Sequence, residues 1–546
     1  MRGRLKSLFL CAAALVLLTG CAGKSGRPPC PAGKLCMFQG NGSDPDTIDP
    51  ALSQSTWEEH IIDDVMVGLV ANDAKGDPAP ALATSWQSSP DGLTWTFHLR
   101  DAQWSDGHPV TADDFVYGMQ RVLDPKLASA YANLLYFLVG AEQINAGKAP
   151  PSSLGVKAID AHTLELRLTH PAPYLLQIAK HTVMMPAPRW VVEKTGGHWA
   201  EPGNFVSTGP YVMTEWKLGD HITVVKNPRF YDAAQVCLDQ VVYYPAEDKI
   251  SAERRVRAGE FDLNGQNGML PSRIPYLKQP DQIPAYVHTY PWLATEYFQF
   301  NIANVPAFKD VRVRQALTMA IDRDFIASKL MLGGFIAANT FTPPGTADYT
   351  TVEPPHWAGW SLAKRQAEAR RLMAAAGYGP GHPLKITMDI RGSVEASPWP
   401  SSVQADWKAI GVTAEITREE TQVAYADFNS GNFQVANPGW VADFDDPLTF
   451  LGLLRKDAGV QNYGRYFNPT YDALTDQANL EPDLQKRAVL MAKAEHLMLE
   501  DAAVAPIWFQ INYNLVNPWV TGWVDNIGDK HPSRYICFAG RKQPQS

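Results

Sequence analysis

The sequence predicts a mixed α/β fold, and three observations carry that prediction. Segments alternating with period 2 interleave with helix-periodic ones, and strand-like and helix-like stretches alternate through the second half. The chain has 546 residues, 45% hydrophobic and 19% charged, a composition that buries cores and excludes wholesale disorder. At ~100–200 residues per domain, that length implies roughly three domains. A net charge of −9 argues against nucleic acid as the main partner, because phosphate binding needs a basic surface.

The N-terminus sets the compartment. Arg2, Arg4 and Lys6 precede an 11-residue apolar run, Leu8–Leu18. That run is short of the ~20 residues that span a bilayer and suits the h-region of a signal peptide. It ends in Leu18-Thr19-Gly20-Cys21, which resembles a bacterial lipobox and makes Cys21 the expected lipidation site. Residues 1–20 are then a lipoprotein signal, and the Gly/Pro/Lys-rich 21–36 reads as a tether. With Cys11 lost and Cys21 lipidated, Cys30, Cys36, Cys237 and Cys537 remain. An even count in an exported chain reads as two disulfides with three connectivities open. Cys30–Cys36 would be local, and Cys237–Cys537 would tie the chain end to its middle.

Further along, Thr94–Leu99 (TWTFHL), Leu164–Leu168 and Ile222–Val225 read as strands. Thr111 is positioned to cap a helix through FVYGMQRVL. Val311–Leu332, Leu362–Ala376 (stopping at Gly377) and Leu484–Glu500 read as helices. Trp86, Trp95 and Trp104 are expected in the core.

Enzyme signatures are missing: there is no GxSxG elbow, HExxH, P-loop or GxGxxG. The 13 histidines are scattered without metal-ligand spacing, so no metal or cofactor is expected. The acidic pairs Asp113-Asp114 and Asp445-Asp446 read as caps and turns, not as a glycosidase pair.

Several segments carry a family resemblance. They are DPDTIDP (Asp44–Pro50), SWQSSPDGLTWTFHLRDAQWSDGHPVTADDFVYGMQRVLDP (Ser85–Pro125) and LGVKAIDAHTLELRLTHPAPY (Leu154–Tyr174). STGPYVMTEW (Ser207–Trp216), KNPRFYDA (Lys226–Ala233), DVRVRQALTMAIDRD (Asp310–Asp324), GWVADFDDPLTFL (Gly439–Leu451) and LVNPWVTGW (Leu515–Trp523) follow. Together they resemble the substrate-binding proteins of oligopeptide ABC transporters, family 5, from residue 44 to the C-terminus.

The resemblance implies a type II, cluster C periplasmic-binding-protein fold with two lobes, a hinge and an inserted domain. Lobe I would comprise 37–66, 191–293 and 513–546; the insertion 67–190; lobe II 294–512. It implies a periplasmic, lipid-anchored, monomeric receptor that is no enzyme and passes oligopeptides to a permease and ATPase. The alternatives are a non-peptide ligand such as a nickel chelate or haem, or a peptide sensor uncoupled from transport.

By the same resemblance, Asp443 of Trp440-Val441-Ala442-Asp443-Phe444 would hold the peptide's α-ammonium. Gly439, Val441, Ser55 and Thr56 would offer backbone groups in a strand-addition mode. Tyr131 would line the cleft, Asn267 add a polar contact and Trp440 wall a side-chain pocket. Arg312 and Arg314 are expected to be structural, in ion pairs away from ligand. Departures matter too. Asn437 stands where some relatives place an arginine for the peptide carboxylate, Ala396 near where they place a histidine, and Ala294 and Val441 where they form a disulfide.

Overall fold

Two long strands, Val287–Phe300 and Val504–Val516, run antiparallel through the molecule and join its two halves. The structure is a computed structural model and describes residues 30–265, 267–349, 352–392 and 398–540. Cys21 and Ala396 lie outside the described residues. On one side of the central pair the sheet continues through Val435–Asn437, Leu384–Arg391 and Val412–Glu419. On the other it continues through Leu263–Asn264, Cys36–Gly40, Gln240–Tyr244, His221–Lys226 and Tyr211–Lys217.

Parallel neighbours occur within each half, and the strands that connect the halves are antiparallel. Parallel pairs require crossovers, which the helices Trp399–Ala409 and Thr421–Ser430 supply in the second half. This is the mixed α/β architecture expected of a type II periplasmic binding protein.

The central pair has a flaw at an informative place. Its register shifts between Pro291 and Thr295. There the backbone N–H of Leu293 donates to the carbonyl of Ile527 at 3.1 Å, outside the ladder. Asn512 of the partner strand donates across to the Pro291 carbonyl at 3.4 Å. This local disruption of the ladder lies close to the lobe boundaries that the resemblance implies, 293/294 and 512/513.

Alternation along the same strand feeds two cores. Phe298 and Phe300 enter a cluster with Trp399 and Trp407, whereas Tyr297 enters another with Phe341 and Phe450. Within the interval 67–190 lies a separate antiparallel sheet of Ala83–Ser88, Thr94–Leu99, Thr163–Arg167 and Val156–Asp160. Its apolar face is continuous with the first half: Phe97, Phe115 and Leu164 share one buried cluster with Met37, Val224 and Val241. This segment thus has a sheet of its own but shares its core with the first half.

Local signals explain most elements. Thr111 caps Ala112–Val122, its N–H donating to the Asp114 carboxylate at 2.9 Å, so one member of that acidic pair is a cap. Trp104 is fully buried and donates to the same carboxylate at 3.2 Å, while Trp86 and Trp95 pack partly buried against the core. Leu362–Ala375 ends before Gly377, which adopts φ +91° as a helix-terminating glycine does.

Two expectations need correction. The Val311–Leu332 stretch is not one helix: Val311–Ala320 ends, Asp322 caps a new start by accepting from Phe325, and Ile326–Leu330 follows as a π-turn. Arg323 and Arg365 draw the Thr318, Met319 and Ile321 carbonyls away from a continuing helix. The tether is also shorter than residues 21–36. Cys30 is bonded to Cys36, which opens a buried parallel strand against Gln240, and the Leu35 N–H donates to Asp239 at 2.8 Å. A second disulfide joins Cys237 to Cys537, with a Cα separation of 5.5 Å.

Candidate functional site

A cleft of about 540 Å³ opens where four parts of the chain meet. The N-terminal turn of the helix Thr56–Val65 contributes Ser55, Thr56 and Glu59. The interval 67–190 brings Tyr131, Lys180 and His181; the second half brings Val441 to Asp445; the C-terminal segment brings Ile527 to Lys530. Trp292 and Leu293, at the flaw in the central pair, lie on its wall.

Asp443 is the chemical centre. The half-buried carboxyl accepts a hydrogen bond from the Tyr131 phenol, and its backbone N–H donates to Thr449 Oγ1 at 3.1 Å. Burial pushes its pKa up to about 7, and the negative charge of Glu59 adds to the rise against the Tyr131 hydrogen bond. Among the described residues, no cation forms an ion pair with it.

Glu59 itself is committed elsewhere. Lys530 Nζ sits 2.6 Å from its Oε2, and His181 Nε2 3.7 Å from its Oε1. Burial opposes ionisation of Glu59, but Lys530 and His181 outweigh it and hold the carboxyl below its usual range. Burial depresses His60 to about 4 and Lys180 to about 8. Six carboxylates and three lysines line the cleft, so its field favours a ligand that brings positive charge.

The other site residues divide. Val441 is 39% exposed on the wall, and Trp440–Val441 pairs along one edge with Ala294 and Thr295. No strand among the described residues covers its other edge. Trp440 is adjacent but turned into the second-half core, donating to Thr449 at 3.3 Å; it is not on the wall.

Gly439 is also off the wall. It adopts φ +63°, which favours glycine, and a side chain there would also collide with the guanidinium of Arg391. Ser55 lines the cleft, yet its N–H donates to Glu58 and its carbonyl accepts from Glu59, so its backbone is largely consumed as a helix cap. Thr56 lines the cleft one residue on. Asn267 does not: it sits at φ +54° after the Leu263–Asn264 strand, away from the wall.

Asn437 is fully occupied. It is buried, donating to Glu296 at 2.6 Å and to the Tyr297 carbonyl at 3.2 Å. Arg391 also pairs with Glu296, at 2.9 Å, leaving no spare cation at that place. Ala294 and Val441, where some relatives form a bridge, face each other as direct partners. Arg312 pairs with Asp310 at 2.6 Å; Arg314 instead donates to the carbonyls of Phe308, Asp501 and Ala502, a departure from the expected ion pair.

Sequence reading missed Glu59, His181, Lys180 and Lys530. No local motif marks them, since Lys530 and Glu59 lie 471 residues apart.

Residues 77–462 match the family described as bacterial extracellular solute-binding proteins, family 5. The periplasmic oligopeptide-binding protein OppA of Escherichia coli is 37% identical over 90% of each chain. A probable deoxycholate-binding periplasmic protein, YgiS of Escherichia coli, is 35% identical over 88% of this chain and 89% of its own. The solved Escherichia coli murein tripeptide binding protein MppA superposes with a TM-score of 0.81 at 36% identity, covering 93% of this chain and 99% of its own. On these matches, and with the lobed α/β architecture behind them, the chain belongs to the family 5 bacterial extracellular solute-binding proteins.

Proposed function

We propose that this protein captures oligopeptides in the cleft, the α-ammonium pairing with Asp443, and delivers them to an ABC importer. One observation carries the reading: a carboxyl, its pKa raised by burial, that no cation among the described residues pairs with, inside an acid-lined cleft. Any peptide with a free N-terminus supplies the missing charge. The uncovered edge of Trp440–Val441 suits main-chain pairing with the following residues, which binds without reading side chains. The paired crossovers near 293 and 512 act as the hinge for closure. The receptor works as a monomer, anchored at the periplasmic face of a membrane through lipid on Cys21.

The test is calorimetry on four combinations: wild type and Asp443→Ala, each with a free and an N-acetylated peptide. Removing one partner of an enclosed pair costs ~3–5 kcal/mol, roughly 10²–10³·⁵ in affinity. Either change alone is expected to do that damage, and the two together little more. Equal binding of acetylated and free peptide would sink the assignment.

The relative named for deoxycholate favours a second reading, in which the ligand is a non-peptide solute. That molecule has no ammonium, so the same four titrations separate the two.

A further inference from the structure

A second cavity, about 510 Å³, lies outside the cleft against the Cys237–Cys537 disulfide. Two arginines reach it from distant parts of the chain: Arg100, just after the strand Thr94–Leu99, and Arg534, near the C-terminus. Neither has a carboxylate within ion-pair distance among the described residues, and each has a buried Nε–H without a hydrogen-bond partner. Arg100 donates no side-chain hydrogen bond among those residues. Its guanidinium lies over the ring of Tyr231 at 3.9 Å. Arg534 lies over Tyr535 at 4.6 Å and donates to the Asn72 carbonyl at 2.8 Å. Both tyrosines line the cavity as well, so each arginine–tyrosine pair borders it. Asp232 is the sole carboxylate on it among the described residues.

Two guanidiniums directed into one concavity repel each other, and a buried donor left unpaired costs free energy. An anion resolves both problems. Stacking on a tyrosine holds each planar fork in place, which pre-organises it for an acceptor with several oxygens. A doubly charged tetrahedral group can accept from both forks at once; a single carboxylate offers fewer acceptors. The volume leaves room for more than the anion itself.

The position of the cavity adds to this. Lys34 and Leu35 are bound to Asp239, two residues from Cys237, so the first described residues join the body beside it. A membrane anchor upstream of Cys30 would turn this face toward lipid headgroups.

We propose that this cavity is a binding site for a phosphate group, carried by an anionic phospholipid or by a soluble solute, with Arg100 and Arg534 as its ligating side chains. The full chain is titrated with inorganic phosphate by calorimetry, alongside Arg100→Gln, Arg534→Gln and the double variant. Saturable binding is expected in the wild type, about tenfold weaker in each single variant and undetectable in the double. Peptide affinity is expected to stay unchanged, because the site is outside the cleft. The Arg100 side chain makes no hydrogen bond to the fold among the described residues, so its variant remains informative if loss of Arg534 disturbs folding.

Co-sedimentation with phosphatidylglycerol vesicles, against phosphatidylcholine alone, identifies the source. Arginine-dependent retention assigns a headgroup; phosphate binding without retention assigns a soluble ligand. An absence of saturable phosphate binding, or binding that survives Arg100→Gln undiminished, would overturn the proposal.

Discussion

The phenol of Tyr131, in the first half of the chain, donates a hydrogen bond to the carboxyl of Asp443, in the second half. This contact ties two parts of the molecule together across the cleft. It also opposes the rise in the Asp443 pKa, and burial nevertheless wins, leaving it at about 7. If Asp443 holds the peptide α-ammonium as proposed, capture involves a proton.

Affinity for peptides is expected to fall as pH drops below 7, because an ammonium needs the ionised carboxylate. The slope approaches tenfold per pH unit once Asp443 is mostly protonated. Above pH ~8 the peptide amine loses its own charge, so the optimum lies near neutrality. Tyr131→Phe removes the opposing hydrogen bond and moves the acid limb to higher pH. Asp443→Asn flattens it. Calorimetry between pH 5 and 9 reads all three.

The same shift acts on stability, with opposite sign to a salt-bridged carboxylate. Folded Asp443 binds its proton more tightly than the unfolded chain, whose carboxyl titrates near ~3.9. Its cost to the ligand-free fold therefore appears as pH rises from about 4 through 7. Asp443→Asn is expected to stabilise the free protein at pH 8 by ~1–3 kcal/mol and to have little effect at pH 4. Urea denaturation at the two pH values measures the difference.

Ligand length follows from Asn437 and Arg391. Asn437 spends its amide N–H groups on Glu296 and Tyr297, and the charge of Arg391 is already paired with Glu296, so no unpaired cation awaits a peptide carboxylate at that place. Peptides differing by one or two residues are expected to bind with similar affinity. A tri- to hexapeptide series with a sharp optimum at three residues would contradict this.

Arg487 and Asp446 form a buried pair at 2.6 Å, with side chains 0% and 4% exposed. Arg487 also lies 5.2 Å from the centre of the Tyr174 ring, which stacks on Phe444 beside Asp443. Arg487→Met strands the carboxylate and is expected to cost ~3–5 kcal/mol. The double change Arg487→Met/Asp446→Leu is expected to recover much of it. Thermal and urea unfolding of the two variants beside the wild type check the order.

The disulfides make a covalent prediction. Intact mass without reductant is expected ~4 Da below the reduced form, with Cys30–Cys36 and Cys237–Cys537 peptides linked. Cys237→Ser/Cys537→Ser opens a bridge spanning 300 residues and is expected to cost ~2–5 kcal/mol, read by thermal unfolding under oxidising conditions.

Much of the fold was legible residue by residue. The alternation of TWTFHL, the cap at Thr111 and the stop at Gly377 are local, and the structure has a strand, a helix start and a helix end there. Val311–Leu332 misled because its apolar period continues past Ile321. What ends the helix is partly distant: Arg365 takes the carbonyls that a further turn would have used.

The motif around Asp443 was readable too, because the five residues that carry the resemblance are consecutive. Their orientation was not. Whether Trp440 faces the cleft or the core depends on which edge of Trp440–Val441 meets the central strands, and those strands are distant in sequence.

By itself, then, the sequence determined the α/β class and the family, and it singled out Asp443 as the proposed partner of an ammonium, because each is written in local pattern or in contiguous motif. Only the tertiary structure decided that Glu59, Lys530 and His181 surround that acid, that its proton is held to about pH 7, and that Gly439, Trp440 and Asn267 stand off the wall. Charge–charge interaction and desolvation depend on distances through space. Here those distances are set by strands that return from opposite ends of the chain, and no window of sequence contains both ends.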